Sequence, residues 1–489
     1  MLSIPVLEEL PTKTDLRITF LDEKFIRREL QKKQSSEIPA DLFHFEQMTG
    51  VLGQCVWEDH PSLRSRRALY VGLGSTLTLE DYRQAAATAR MALKPWSLRS
   101  VILTFPPVIP KRLSVSEVAQ AITEGWVLAS YHFDRYKKKT KYKEPRLSFL
   151  VADKRGHAPV VRGIEKGLLF VQATSLARDL VNTPAAFNTP KDLMESARAI
   201  AQAHSSISFK MFDETKLKRM KAGGILAIGQ GSMHPPFLVH LIYKPKKKAV
   251  KKIALVGKAV TFDSGGLSLK PADAMMSMKC DMAGAATVLG IFSVLEELQV
   301  PFEVHGIFAA CENMPSGHAI RPGDIIKTLN GTTIEIANTD AEGRVTLADS
   351  LAYATKFSPD VLMDFATLTG ACLVALGEEI AGVLSTTGNW KKRFLQAAET
   401  TGEKMWELPL EKKYEKLLES DVADLRNISG SKYGGVLTAG LFLQHFVGKT
   451  PWIHVDIAGP AFAEKMFEPY IQKGGTGFGV RSCLRLLLS

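Results

Sequence analysis

The stretch NTDAEGR, residues 338–344, lies between a predicted strand over 332–337 and a predicted helix over 345–355. It places two carboxylates, Asp340 and Glu342, two positions apart and a guanidinium two positions further on. A strand-to-helix loop with two acids suits a hard or borderline cation, which binds oxygen ligands. The same pattern also fits a helix N-cap, in which Asp340 would accept a backbone hydrogen bond. The stretch alone leaves both interpretations open.

A second stretch, VGKAVTFDSGG over residues 256–266, follows an apolar run at 253–256 and adds more charged candidates. If the strands of this region form a parallel sheet, ligands bind beyond their carboxyl ends. We therefore expect Lys258, Asp340 and Thr367 just past strand ends. The charged candidates of the two regions are Lys258, Asp263, Lys270, Asp281, Asp340, Glu342 and Arg344.

Length and composition set the broad class of the protein. With 489 residues, the chain is too long for one ordinary core, so two domains are expected. The 62 Lys and Arg against 51 Asp and Glu permit contact with nucleic acid without requiring it. Five widely spaced cysteines without a CxxC pair favour a reduced, cytoplasmic protein. The N-terminal residues lack a targeting pattern, and the most apolar stretch, 361–377, contains Asp364, so no membrane contact is predicted.

Apolar runs alternate with helical patterns along the whole chain. This alternation predicts an α/β protein with two domains, each with a mainly parallel or mixed sheet flanked by helices. The first domain, 1–155, has no catalytic constellation and is assigned to assembly or regulation; the larger domain, 156–489, is assigned to catalysis. Predicted strands are 16–20, 68–71, 100–105, 237–243, 253–256, 304–309, 361–365 and 453–457, and predicted helices are 79–93, 115–129, 284–298 and 345–355.

Two basic runs, 135–143 and 244–252, have two interpretations. Each is a solvated loop, or the first is a patch that contacts phosphate, with Tyr136 and Tyr142 interleaved. We favour the solvated loop because charge runs are usually exposed to water. Nucleic-acid binding is retained as a second hypothesis and is not favoured.

The order VGKAVTFDSGG, KCDMAGAA (279–286), ENMPSG (312–317) and NTDAEGR resembles the leucine (cytosol) aminopeptidase family, over roughly residue 174 to the C-terminus. The resemblance implies a metal-dependent exopeptidase that releases N-terminal amino acids from peptides, with Leu- or Met-like residues preferred. A hydroxide that bridges two cations would attack the first peptide bond. The free amine of the substrate would also coordinate a metal, which explains why only chain ends are cleaved.

The resemblance also implies two divalent cations per subunit, Zn²⁺ or Mn²⁺, with Mg²⁺ or Co²⁺ as alternatives. The ligands would be Lys258, Asp263, Asp281, Asp340 and Glu342. The tighter cation would take all of these except Asp340, and the exchangeable cation would take Asp263, Asp340 and Glu342. Lys258 would have to be uncharged, and burial beside a cation lowers a lysine pKa in that direction. From the residues alone, an ion-pair network in which the lysines balance the acids stays open as an alternative.

The remaining assignments follow from the same resemblance. Lys270 would stay charged and polarise the scissile carbonyl, and Arg344 would hold a bicarbonate that acts as the general base. The protein would form a homohexamer, a dimer of trimers. The substrate pocket would comprise Met278, Asn338, Thr367, Leu368 and Gly370.

Two residues depart from the family pattern next to a ligand. Ala259 stands where glycine commonly follows the ligand lysine, and it would be strained if the position required positive φ. Cys280 precedes Asp281, and its thiol could bind a soft metal or be oxidised.

Overall fold

The structure is a computed structural model that describes residues 3–11, 13–32, 48–59, 65–106, 109–138 and 144–489. The chain divides into two compact units. One comprises Met1–Val171 with Met466–Gln472, and the other comprises Gln172–Lys465 with Lys473–Ser489. The predicted boundary at 155/156 stays a prediction; it falls inside the helix Lys154–Asn182.

The smaller unit contains a six-stranded sheet covered by helices. Its strands are β1 (Val6–Leu7), β2 (Thr14–Leu21), β3 (Cys55–Asp59), β4 (Ser65–Gly72), β5 (Ser100–Thr104) and β6 (Arg146–Leu150). Its helices are α1 (Glu23–Lys32), α2 (Leu79–Ala92), α3 (Val115–Ala129) and the part of α4 (Lys154–Asn182) up to Val171. The strand order is β1-β6-β5-β2-β4-β3, and all neighbours are parallel except β3 and β4. Helices α2 and α3 each begin at a capping box, at Thr78 and Ser114.

The larger unit is built on an eight-stranded sheet with the order β15-β14-β17-β13-β9-β10-β8-β7. Its strands are β7 (Ile207–Phe212), β8 (Phe237–Tyr243), β9 (Lys252–Asp263), β10 (Glu303–Asn313), β11 (Ile325–Lys327), β12 (Thr333–Glu335), β13 (Val361–Ala366), β14 (Ala381–Ser385), β15 (Met405–Glu407), β16 (Leu425–Arg426), β17 (Trp452–Asp456), β18 (Phe462–Ala463) and β19 (Gly474–Gly475). Strands β11, β12 and β16 form a separate small sheet, and so do β18 and β19.

Helices cover this sheet and supply part of the site described below. They are α5 (Pro190–Ala203), α6 (Glu214–Met220), α7 (Gly223–Gly229), α8 (Ala272–Met275), α9 (Ala283–Phe292), α10 (Glu342–Thr355), α11 (Gly370–Leu376), α12 (Gly388–Thr401), α13 (Gly435–Gln444) and α14 (Val480–Leu487). Short 3₁₀ turns occur at Ala185–Phe187, Met278–Met282 and Lys412–Leu418. The predicted α/β class, with two domains and sheets flanked by helices, is confirmed.

The four central strands, β17, β13, β9 and β10, are mutually parallel. Their residues are buried on both faces, as in sheets covered by helices on both sides. Their carboxyl ends therefore meet at one edge. Asp263, Asn313 and Asp456 are the last residues of β9, β10 and β17, and Thr367 directly follows β13.

The expectation that Lys258 lies past a strand end is wrong. Strand β9 continues to Asp263, and Lys258 lies inside it, paired with Ala309 of β10. The apolar run used for the prediction ends at Val256, but the strand continues because Lys258 finds buried acidic partners. Thr367 does directly follow a strand, whereas Asp340 lies in the loop between β12 and α10.

Two further sequence expectations concern surfaces. Among the residues that the structure describes, no helix combines the length and the apolar character needed to cross a membrane. Of the basic run 135–143, residues 139–143 lie outside the described residues. In the second run, residues 244–248 form an exposed connection between β8 and β9.

Candidate metal centre

The amine of Lys258 lies at the centre of a buried acidic cluster. Its Nζ is 2.8 Å from Oδ1 of Asp281 and 2.8 Å from Oε1 of Glu342. It also donates a 2.9 Å hydrogen bond to the backbone oxygen of Thr367. Asp281 belongs to the 3₁₀ turn before α9, and Glu342 is the first residue of α10. Strand β9 and two helix starts thus bring these three side chains together.

A second ammonium group borders the same cluster. Nζ of Lys270 lies 3.0 Å from Oδ2 of Asp263 and 2.5 Å from Oδ1 of Asp340. Asp263 also accepts hydrogen bonds from the Gly265 amide, at 2.9 Å, and from Nδ2 of Asn313, at 2.8 Å. The candidate acids therefore divide between the two lysines, with Asp281 and Glu342 at Lys258 and with Asp263 and Asp340 at Lys270.

The geometry of the acids meets the requirement for cation binding. One carboxylate oxygen from each of Asp263, Asp340 and Glu342 can be chosen so that all three lie within 4.8 Å of one another. Asp281 adds Oδ2, which is buried and has no hydrogen-bond partner among the residues that the structure describes. Three carboxylate oxygens this close together, with a further unsatisfied oxygen on Asp281, fit hard or borderline divalent cations. The five predicted ligands thus converge in one place.

The surroundings of these lysines and acids shift their pKa values. Burial alone would lower the pKa of Lys258, but Asp281, Glu342 and Asp263 outweigh it and hold that pKa above its ordinary value. The pKa of Lys270 is raised in the same way, by Asp263 and Asp340 against burial. Burial raises the pKa of Asp263 and Asp281. The protein itself thus forms the ion-pair network, and Lys258 must lose a proton before it can bind a metal.

Glycines allow the segments to approach so closely. A Cβ on Gly343 would lie 2.4 Å from Cε of Lys258. Gly265 has φ +86°, and a Cβ there would lie 2.8 Å from Oδ1 of Asp340. The N-cap of α10 is Ala341, without a side-chain cap, so Asp340 does not play the N-cap role that its position also suggested.

Arg344 is buried next to this cluster on the first turn of α10. Its Nη1 donates a 2.8 Å hydrogen bond to the backbone oxygen of Asn427. Its Nε is buried and finds no hydrogen-bond partner in the described part of the chain. Burial lowers the pKa of Arg344 to about 10, so the side chain remains a cation at neutral pH. A buried guanidinium with an unused N–H is suited to a small bidentate anion.

The predicted pocket residues occupy different positions around the cluster. Met278 and Asn338 are half-buried, and Gly370 is exposed at the start of α11. The hydroxyl of Thr367 donates to Oδ1 of Asp281 at 2.7 Å, which ties this residue to the acids. The Leu368 amide donates to Oδ1 of Asp456 at 3.2 Å, so its carbonyl is the group left for a substrate.

The structure describes the surroundings of both residues that depart from the family pattern. Ala259 lies within β9 and is not among the described residues with positive φ, so it carries no such strain. Cys280 is buried, and burial raises the pKa of its thiol to about 12.

Sequence reasoning missed several residues that hold the site together. Asn313 bonds Asp263 and donates to the Thr339 carbonyl at 3.0 Å. Asp456 anchors the Leu368–Thr369 segment through its carboxylate. Asn427 contacts the 338–344 loop. Only Asn313, inside ENMPSG, lies in a motif that the sequence had singled out.

Comparisons with known proteins show which proteins this chain resembles. The family model described as "Cytosol aminopeptidase family, catalytic domain" matches residues 175–484, and that of the family's N-terminal domain matches residues 28–140. A probable cytosol aminopeptidase of Aquifex aeolicus is 44% identical over 423 residues, 86% of this chain and 84% of the relative. One of a Sulfurihydrogenibium species is 39% identical over 491 residues, 99% of this chain and 96% of the relative.

Two solved structures are also similar to this chain. The bottromycin maturation enzyme BotP in complex with Mn is 35% identical, with a TM-score of 0.86, and the match covers 97% of this chain and 99% of that one. A mutant of tomato leucine aminopeptidase is 33% identical, with a TM-score of 0.87, and the match covers 100% of this chain and 96% of that one.

Proposed function

The chain belongs to the cytosol aminopeptidase family of metallo-aminopeptidases, and from that premise we propose that it releases N-terminal residues, Leu- or Met-like ones preferred, from peptides. The observation that carries this proposal is the convergence of Asp263, Asp340 and Glu342 within 4.8 Å of one another beside Lys258 and Lys270. A free amine and a scissile carbonyl at such a site would meet both cations and an ammonium group.

The cations would be held by the five residues that the sequence singled out. Lys258, Asp263, Asp281 and Glu342 would form the tighter site, and Asp263, Asp340 and Glu342 the exchangeable one. Mn²⁺ or Zn²⁺ is favoured, with Mg²⁺ or Co²⁺ as alternatives, and the similar structure in complex with Mn supports Mn²⁺. When bound, such a cation pair lowers the pKa of a water molecule toward neutrality and so supplies the nucleophile.

The protein's own groups would handle charge and protons around this nucleophile. Lys270, whose pKa is held high by Asp263 and Asp340, would donate a hydrogen bond to the carbonyl oxygen and stabilise the developing negative charge. Arg344 would hold a bicarbonate, which when bound would supply the general base that the site's own side chains lack. The buried, unpartnered Nε of Arg344 supports this assignment.

The substrate would be positioned by residues around the acids. Met278 would contact the first side chain, and its flexible thioether suits unbranched and branched apolar groups. The carbonyl of Leu368 would accept a hydrogen bond from the peptide. A Cβ on Gly370 would meet nothing within 4 Å, so this position leaves room for the substrate backbone. Asn338 and Thr367 complete the pocket.

We also propose a cytoplasmic homohexamer, a dimer of trimers. The single chain exposes large apolar side chains, including Met233, Met276 and Val374, that an assembly would cover. Light scattering coupled to gel filtration measures the assembly, and a monomeric peak would refute it.

Hydrolysis of leucine p-nitroanilide tests the activity. We expect turnover with added Mn²⁺, loss after chelation and recovery when Mn²⁺ is restored. N-acetyl-leucine p-nitroanilide is the matched control and should not be cleaved, because its amine is blocked. The proposal fails if the folded protein is inactive with every divalent metal, or if it cleaves both substrates alike.

A further inference from the structure

Asn427 is a fully buried polar residue next to the 338–344 loop. It directly follows β16, which pairs in parallel with β12, the strand that leads into this loop. Its backbone amide donates a 3.0 Å hydrogen bond to the oxygen of Glu335. The strand pairing therefore places Asn427 where β12 ends and the loop begins.

The carboxamide of Asn427 bonds the backbone of the loop on both sides. Its Oδ1 accepts hydrogen bonds from the amides of Ala337, at 2.8 Å, and Asn338, at 3.3 Å. Its Nδ2 donates to the oxygen of Asn338 at 2.6 Å and to that of Ala341 at 3.5 Å. A carboxamide has two N–H donors and two acceptor lone pairs, so the side chain of Asn427 uses all of its hydrogen-bonding groups on this loop. These contacts bracket Asp340.

The backbone oxygen of the same residue fixes the arginine. It accepts the 2.8 Å hydrogen bond from Nη1 of Arg344. Asn338, which the carboxamide holds, in turn accepts the Asp340 amide on its Oδ1 at 2.8 Å. One buried residue thus contacts the segment that carries the acids and also the guanidinium beside them.

We propose that Asn427 is a positioning residue for the peptidase reaction. It holds Asp340 and Arg344 in fixed positions relative to each other. The inference rests on the proposed function, because that assigns a cation to Asp340 and an anion to Arg344. Groups that orient metal ligands affect affinity and rate by about 10- to 100-fold although they touch neither metal nor substrate. Rotation of this loop would move a ligand and the anion site together.

A purely structural role is the alternative, because Asn427 also extends the pairing of β12 with β16. The opposite end of this pair offers a matched control. Thr333 donates to Oδ2 of Asp424 from its amide and its hydroxyl, both at 2.8 Å, and its hydroxyl accepts the Asp424 amide at 3.0 Å. Thr333→Val loosens the same strand pair and leaves the contacts of Asn427 in place.

The experiment compares Asn427→Ala, Asn427→Asp and Thr333→Val in the full chain. Thermal unfolding measures stability, Mn²⁺ titration measures the two affinities, and leucine p-nitroanilide gives kcat and KM. For Asn427→Ala we expect kcat to fall about 10- to 100-fold and the weaker Mn²⁺ affinity to fall about 10-fold, with the tighter one unchanged. Asn427→Asp keeps the shape but lacks the Nδ2 donor, so it should lose at least as much. Thr333→Val should lower only the unfolding temperature.

The outcomes separate the two ideas. The inference is overturned if folded Asn427→Ala keeps the wild-type kcat and both Mn²⁺ affinities, or if Thr333→Val changes them equally. If Asn427→Ala does not fold, the isosteric Asn427→Asp decides by the same criteria. If the wild type lacks activity with every metal, the proposed function fails, and the ratio of Mn²⁺ affinities still tests the positioning role.

Discussion

The surroundings of Gly343 leave no room for a side chain larger than its hydrogen atom. A Cβ there would lie 2.4 Å from Cε and 2.6 Å from Nζ of Lys258. Lys258 cannot yield, because Asp281 and Glu342 bind its amine in a buried space. We expect Gly343→Ala to displace the lysine or the start of α10, and kcat/KM for leucine p-nitroanilide to fall at least about 100-fold.

The control for this change is Gly388→Ala. Gly388 starts α12, and a Cβ there would meet nothing within 4 Å. Alanine is the better helix former, so this variant should keep wild-type activity and stability. A Gly343→Ala protein with wild-type kcat/KM and Mn²⁺ affinity would contradict the tight packing around Lys258.

The two lysines should respond differently to replacement by methionine. Lys258→Met removes a proposed ligand, so we expect weaker binding of the tighter cation, measured as metal retained after dialysis. Lys270→Met removes a carbonyl-polarising group, so we expect both cations to remain and kcat to fall about 10²- to 10³-fold. Equal metal loss in both variants would show that the two lysines serve only as counter-ions to the acids.

At the residue scale, the sequence pointed to charged groups that the structure brings together, but not to most of the residues that support them. Lys258, Asp263 and Glu342 occur in compact motifs, so a resemblance finds them at once. Asn427 acts on a loop 89 positions earlier, through hydrogen bonds to backbone atoms. No local pattern reveals such a partner, because the contact depends on the pairing of β12 with β16.

Strands β8 and β10 carry a buried hydrogen-bonded chain of polar side chains. His240 Nδ1 lies 3.1 Å from the Tyr353 hydroxyl, and His240 Nε2 lies 2.9 Å from Nδ1 of His305. Nε2 of His305 lies 2.9 Å from the Glu303 carboxylate. Burial first, then His305 and Lys210, lowers the pKa of His240 to about 3. The native state therefore holds His240 uncharged.

This depressed pKa makes the larger unit sensitive to acid. Between pH 6.5 and about 3 the unfolded chain binds a proton at His240 that the folded chain excludes. Its contribution to the free energy of unfolding is intact above pH 6.5 and falls by about 1.4 kcal/mol per pH unit below it. Urea unfolding at pH 7.5 and pH 5 measures the loss. His240→Gln should reduce that loss, and an unchanged difference would contradict the assignment.

At the element scale, patterns of apolar residues located the elements more reliably than their ends. Strand β8 and helix α3 have the predicted bounds. Strand β9 extends past its apolar run because acids neutralise Lys258, and such compensation is invisible in a hydrophobic pattern. Helix α9 ends at Phe292, short of the predicted 298, where the hydroxyl of Ser293 bonds the Gly290 carbonyl at 2.7 Å.

At the scale of the whole molecule, cations should stabilise one unit selectively. All five proposed ligands belong to the larger unit. A ligand that binds only the folded state at 100 times its Kd stabilises that state by about 2.7 kcal/mol. Because β9 and α10 carry ligands, local unfolding that lets their backbone amides exchange hydrogen requires the cations to leave first. We expect Mn²⁺ to slow hydrogen exchange in β9 and α10 by up to about 100-fold, and to leave β2 and β5 of the smaller unit unchanged.

Mass spectrometry of exchanged peptides measures this difference, with chelated protein as the reference. Asp340→Asn is the matched variant, because it alters the exchangeable site and leaves the ligands of the tighter one. Its Mn²⁺-dependent protection should weaken in the loop that carries Asp340 and persist in β9 and α10, since Lys258, Asp263 and Glu342 still hold the tighter cation. Equal slowing in both units would instead mean that Mn²⁺ acts on the protein as a whole, and no slowing in β9 would place the cations elsewhere.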